Sequence, residues 1–223
     1  MTDAMSALRT NLERAQAFTR IFDAASTKPT PGTKRGRGKP SREENELLRA
    51  AVIFSLGALD AYLSDVATEV LIAQLDKAAT GPNTDTRALL RRVMNEIPTL
   101  PMELALAGNT KLRHQIIRDA LADHLGNRVS NHGPKGVSDT LQRMGEAVDW
   151  DDVSVPPGLG TTPSGTKKPA DAAAALKHWT QIRHGLIHQG KRPQVKSEPA
   201  KALIEFVTAI ATHVDSKAQA AMQ

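Results

Sequence analysis

Cysteine is absent from this chain. No disulfide can staple the fold and no thiolate can hold a metal. A reducing cytoplasm is the simplest setting for that composition. Aromatic residues make up only 3% of the chain, so the core must rest on Leu, Ile, Val and Ala. The abundance of Ala leans towards helix. The N-terminus lacks the apolar run of a signal peptide, and no stretch is expected to be long enough to span a bilayer. A cytoplasmic protein without a membrane segment is therefore expected. There is no Gly-x-x-x-x-Gly-Lys-Ser/Thr to cradle a nucleotide's phosphates and no Gly-x-Ser-x-Gly to mount a nucleophile. No paired carboxylates stand out for glycoside chemistry. No internal repeat is visible.

What is present suits one sizeable helical core. The chain has 223 residues, 40% of them hydrophobic, with a net charge of +5 and a pI near 9.6. A basic balance mildly favours a polyanionic partner. Leu8, Leu12, Ala15, Phe18, Phe22 and Ala25 keep helical spacing, which predicts an amphipathic N-terminal helix over residues 1–25. Residues 26–42 follow as a basic linker rich in Pro, Gly and Lys or Arg. Lys34, Arg35, Arg37 and Lys39 in it are candidate RNA contacts; a solvated loop is the plainer reading of the same composition.

Residues 43–221 read as the main helical domain. Ser41 and Glu44 make a capping box at its start. The helix that follows is expected to reach about Ala79, and it has two stripes. One is Leu48, Val52, Ser55, Leu59, Tyr62, Val66 and Val70. The other is Arg49, Ile53, Leu56, Asp60, Leu63, Ala67 and Leu71. A helix apolar on two sides is central to its bundle. Arg49 and Asp60 in the second stripe need partners, in a site or in ordinary ion pairs. Shorter helices are expected over Asp85–Ile97, over Met102–Ala107, after Asn109 or Thr110, and over Ser138–Val148. Asn127–Gly136 reads as a polar loop. His114 and His124 read as ordinary helical histidines. Trp150–Lys168 has no usable period and reads as a long exposed loop. Ser197-Glu198-Pro199 opens the last helix, with Leu203, Val207, Ile210 and Val214 inward. The fold class is all-α.

Chemistry gathers in the helix that begins near Ala170. Leu176, Trp179, Ile182, Leu186 and Ile187 form its apolar stripe, and Arg183 falls inside that stripe. A guanidinium there must pair or line a cleft. His184 follows at once and His188 comes five positions after the arginine. Histidine serves as acid or base near neutral pH, and arginine holds phosphate through parallel hydrogen bonds. Together they are a minimal kit for cleaving RNA without a metal, by attack of the 2′-hydroxyl on the adjacent phosphorus. Lys191 and Arg192, just beyond, are further candidate RNA contacts. Positions five apart on a regular helix point about 140° away from each other. Arg183 and His188 converge only if Gly185 lets the helix deform, or if a second protomer completes the site. His184 and His188, four apart, share a face and are also a possible zinc pair, but the Glu of His-Glu-x-x-His is missing. Arg183 pairing with Asp60, with both histidines merely at the surface, is the bland alternative.

Arg183-His184-Gly185-Leu186-Ile187-His188 resembles the Arg-x4-His signature of the HEPN superfamily, with a polar residue after the arginine. The stretch Leu48–Asp65 is similar to the first long helix of the RiboL-PSP-HEPN group, and the resemblance covers Glu43 to Ala221. It implies an all-α, usually dimeric fold and a metal-independent endoribonuclease with no cofactor, used in toxin–antitoxin or antiviral defence systems. It implies Arg183 and His188 as catalytic residues facing a second motif across a dimer cleft, with His184 in a helper role. RNA, a second copy of the chain and an antitoxin or defence partner are the implied partners. A non-catalytic module of the same kind, binding RNA or a partner protein, is the alternative.

Overall fold

A computed structural model describes residues 1–27, 41–80, 108–109, 111–113, 115–116, 119–120, 133–159 and 171–223. Their regular structure is entirely helical, as expected for an all-α chain. Five helices have defined bounds: α1 (Asp3–Thr27), α2 (Arg42–Thr80), α3 (Gly133–Arg143), α4 (Ala172–His188) and α5 (Ser197–Met222). The helices expected over Asp85–Ile97 and Met102–Ala107, and both His114 and His124, lie outside the described residues. Asn109 does cap a helical turn: its side-chain oxygen accepts the Leu112 N–H at 2.9 Å.

The chain forms two compact units. One comprises Met1–Ser6, Asp60–Asp149 and Ala211–Gln223; the other comprises Ala7–Leu59 and Trp150–Ile210.

In the first unit, Leu63, Val66, Val70, Leu141 and Val214 are buried. Each such side chain contributes about 1.5–3 kcal/mol when fully removed from water. Tyr62 is buried with them and its hydroxyl donates to the Ala211 carbonyl at 3.0 Å. Burial pushes the Tyr62 phenol far up, with the charges of Asp215 and Glu69 adding to the effect. The start of α1 is stitched down by acids from other helices. Thr2 Oγ1 accepts the Met5 N–H at 3.1 Å and donates to the buried Asp215 at 2.5 Å. Asp215 also accepts the Thr2 N–H at 3.2 Å and the Gln219 amide at 2.5 Å. Glu69 accepts the Ala4 N–H at 2.7 Å. These bonds satisfy donors that every helix leaves open at its N-terminus.

α3 begins at Gly133, where a helix from Ser138 and a loop to Gly136 were expected. Gly133 takes φ +73°, and Pro134 then stands in the first turn, where its fixed φ helps and its missing N–H is harmless. The helix ends early because Gly145, at φ +84°, reverses the chain. The Glu146 N–H reaches the Leu141 carbonyl at 2.9 Å and the Gly145 N–H reaches Gln142 at 3.1 Å, the paired bonds of a Schellman stop.

In the second unit, the capping box forms: Ser41 N–H donates to Glu44 at 2.6 Å and Glu44 N–H to Ser41 Oγ at 3.1 Å. Leu48, Val52, Leu56 and Leu59 of α2 are buried, as are Leu203, Val207 and Ile210 of α5. Along its whole length α2 buries every member of its first stripe, and in the second only Ile53 and Asp60 are half-buried. Two-sided burial makes α2 apolar enough to meet the length and composition of a membrane-crossing helix over Arg42–Gln74, contrary to the expectation that no such stretch exists; 56% of the qualifying window is buried inside the protein. The loop before α4 is also not simply exposed. Its first part is irregular, but Val153 and Leu159 are buried; an aperiodic stretch can still anchor itself with single apolar residues.

Candidate functional site

α4 carries most of the candidate residues. Asp171 starts it, its carboxylate accepting the Ala173 N–H at 2.9 Å. Ala172, Ala175, Leu176 and Trp179 are buried, and they define the inner side. Arg183 is half-buried and lies about 40° round the helix from Trp179. The expected apolar stripe is incomplete at its end: Ile187 is 46% exposed, because five apolar residues over twelve positions span more than one buried face.

His184 and His188 are exposed on the outer side. Their ring centroids stand 4.8 Å apart at 44°. The helix is unbroken from Ala172 to His188, so Arg183 and His188 diverge by about 140°. Gly185 does not deform the helix. It serves a close approach instead. Gly190, at φ +59°, turns the chain after the Gln189 C-cap, and the Lys191 N–H returns to the Gly185 carbonyl at 3.0 Å. A Cβ on Gly185 would meet Lys191 Cδ at 3.4 Å. The glycine is buried beneath the returning lysine stem.

Arg49 fixes that returning segment. Its Nε donates to the Pro193 carbonyl at 3.0 Å and its Nη2 to the Arg192 carbonyl at 3.1 Å. Nη1 pairs with Glu46 at 2.7 Å. Only 8% of Arg49 is exposed, so its fork of donors is spent on positioning backbone. Lys191 and Arg192 are thereby held on the surface beside the end of α4. Asp60 is half-buried on α2 and belongs to the first unit, whereas the other described candidates belong to the second. Lys34, Arg35, Arg37 and Lys39 lie outside the described residues.

One signal was in the sequence and is not visible on a helical wheel. From Ala172 to Ser197 there is no Asp or Glu, although the chain has 24 of them. The same run holds Lys177, Arg183, Lys191, Arg192 and Lys196, together with His178, His184 and His188. Within this run no acid offsets the positive charge, and a basic stretch attracts anions. Lys177, His178 and Gln181 join the candidate residues on this account and because they are exposed. His184 and His188 supply two nitrogen donors; no group of three His, Asp or Glu that would hold a metal occurs among the described residues. Comparison with family models, with curated proteins and with solved structures gives no match.

Proposed function

We propose that this chain is a HEPN-type endoribonuclease that needs no metal, works as a homodimer, and takes part in a toxin–antitoxin or antiviral defence system. The observation that carries the reading is the basic run of α4 and its following segment, which has no acid within its own sequence, with two adjacent imidazoles exposed on α4. The 2′-hydroxyl of RNA attacks the adjacent phosphorus, forming a P–O2′ bond as the P–O5′ bond breaks. A base takes the hydroxyl proton and an acid protonates the leaving 5′-oxygen. His188 serves in this proton transfer, with His184 beside it positioning the imidazole. Arg183 stabilises charge on the non-bridging oxygens. The products are a 2′,3′-cyclic phosphate and a 5′-hydroxyl, and EDTA has little effect.

The divergence of Arg183 and His188 on a regular helix favours a site completed by a second copy, with α4 in the interface. Light scattering at several concentrations tests the dimer; a monomer at all of them contradicts it. The same divergence favours a second reading, an RNA- or protein-binding module that does not cleave. Purified protein incubated with total RNA in EDTA separates the two. Cleavage by the wild type and its loss in well-folded His188→Ala support the enzyme. Equal cleavage by both moves the site elsewhere, and no cleavage by either supports the binding module.

A further inference from the structure

Beside the histidine pair lies a hollow of about 330 Å3, lined by His178, Gln181, Ile182, Gly185, Lys191 and Pro193. The four α4 residues sit at i, i+3, i+4 and i+7, a single face of the helix. The opposite wall is the returning segment, which is built in rather than draped. The Lys191 N–H is bonded to Gly185, and Arg49 holds the carbonyls of Arg192 and Pro193. The Lys191 stem lies over Gly185, 3.4 Å from where a Cβ would stand.

The lining has a definite chemistry. Ile182 and Pro193 are half-buried and apolar. Gln181 and His178 stand exposed at the rim; the first offers a donor and an acceptor together, the second a flat ring. Lys191 adds a positive charge, and no carboxylate lines the hollow. Its volume is at the lower end of the range of about 300–1,000 Å3 for small-molecule pockets, which suits a ligand of one ring system better than a large one. A flat heterocycle with a hydrogen-bonding edge and a neighbouring phosphate fits all of these features; an apolar ligand leaves Gln181 and Lys191 unanswered.

We propose that this hollow docks one nucleobase of a single-stranded RNA, so that the adjacent phosphate lies towards His184 and His188. The base packs on Ile182 and Pro193, Gln181 reads its edge, and Lys191 holds the backbone. The inference deepens the RNA-directed reading of α4 and rests on it. It does not require cleavage, and the test keeps the two apart.

Binding of 2′-O-methyl oligonucleotides, which cannot be cleaved by 2′-hydroxyl attack, is measured by fluorescence anisotropy. Homopolymers of A, C and U are compared with an abasic strand of equal length. The wild type should bind its preferred homopolymer on the order of tenfold more tightly than the abasic strand. Gln181→Ala should erase most of the preference among bases, whereas Lys191→Ala should weaken all strands alike. Gln181 is exposed, so its replacement leaves the melting temperature unchanged. In parallel, cleavage positions on natural RNA are mapped for wild type and Gln181→Ala. Equal binding of base-bearing and abasic strands overturns the subsite, as does an unchanged base preference in Gln181→Ala. Cleavage whose positions ignore Gln181 also overturns the subsite while the nuclease reading survives. A base preference that depends on Gln181, in a protein that cleaves nothing, supports the subsite while the nuclease reading falls.

Discussion

The two units treat charge in opposite ways. In the first, acids turn inward and are consumed by the fold: Asp215 and Glu69 accept the opening donors of α1. In the second, the surface made by α4 and its following segment has cations and imidazoles but no acid of its own in sequence. Among the described residues of that unit the one buried charged group, Arg49, is spent on backbone carbonyls and Glu46. A polar group whose capacity is filled within the chain stabilises the chain. A group left facing solvent, among like charges, costs some repulsion and is available to a ligand. The difference separates residues whose polar capacity the fold consumes from residues left facing solvent.

The largest effect should come from breaking the outward side. His188→Ala should lower RNA cleavage by about 10²–10⁴-fold, as is typical when a general acid or base is removed. Because His188 is exposed, the melting temperature should stay where it is. Arg183→Lys keeps the charge and loses the planar fork, so a phosphate clamp predicts a loss of about 10²–10³-fold even from this change. Thermal melting measured alongside separates that loss from any cost of altering a half-buried position.

Breaking the inward side should do the reverse. Asp215→Ala strands the Thr2 N–H and hydroxyl and the Gln219 amide. Leaving buried groups unsatisfied costs about 1–3 kcal/mol. Urea titration should show that loss, and RNA cleavage per folded molecule should be unchanged. Gly190→Ala joins the two sides. Nothing crowds the position, but its φ of +59° is left-handed, so an alanine there costs about 1–2 kcal/mol. Because this turn aims Lys191 and Arg192, oligonucleotide affinity should fall as well.

The smallest effect concerns pH. Burial raises the carboxyl of Glu69 above its ordinary value of 4.5, outweighing the Ala4 N–H that lowers it. Burial raises Asp65, its neighbour on α2, too. A raised carboxyl binds its proton more tightly folded than unfolded. Its contribution is therefore fully present below the unfolded value and declines as pH rises from about 4.5 through the raised folded value. Glu69→Gln keeps an oxygen for the Ala4 N–H and removes the titration. Stability measured against pH should be flatter just above 4.5 in that variant than in the wild type.

Much of the fold was legible in the sequence because helical period and caps are local. The capping box at Ser41 and Glu44, the two stripes of α2, the start of α4 near Ala170 and the inner face of α5 are all encoded within a few turns. Gly133–Pro134 was misread as loop because the same pair serves turns and helix starts, and only the following packing tells them apart. The site was legible in part. Arg183, His184 and His188 declare themselves by spacing. The grip of Arg49 on Arg192 and Pro193 spans 143 and 144 positions, and no local pattern reports it. For the same reason the sequence leaves open a deformation at Gly185, whereas the helix runs unbroken there and the glycine packs under Lys191. The wall that makes a hollow of His178 and Gln181 exists only once the chain has turned back at Gly190.

If a second chain completes the site on α4, defects in Arg183 and in His188 should complement each other. Arg183→Ala and His188→Ala proteins, each inactive alone, should recover cleavage when unfolded together and refolded as a mixture. A symmetric dimer then has one intact site in each mixed pair, so roughly a quarter of wild-type activity should return. Differently tagged chains show by co-purification that mixed dimers have formed. Recovery of cleavage in those mixed dimers is the predicted result; mixed dimers that form and stay inactive would contradict it.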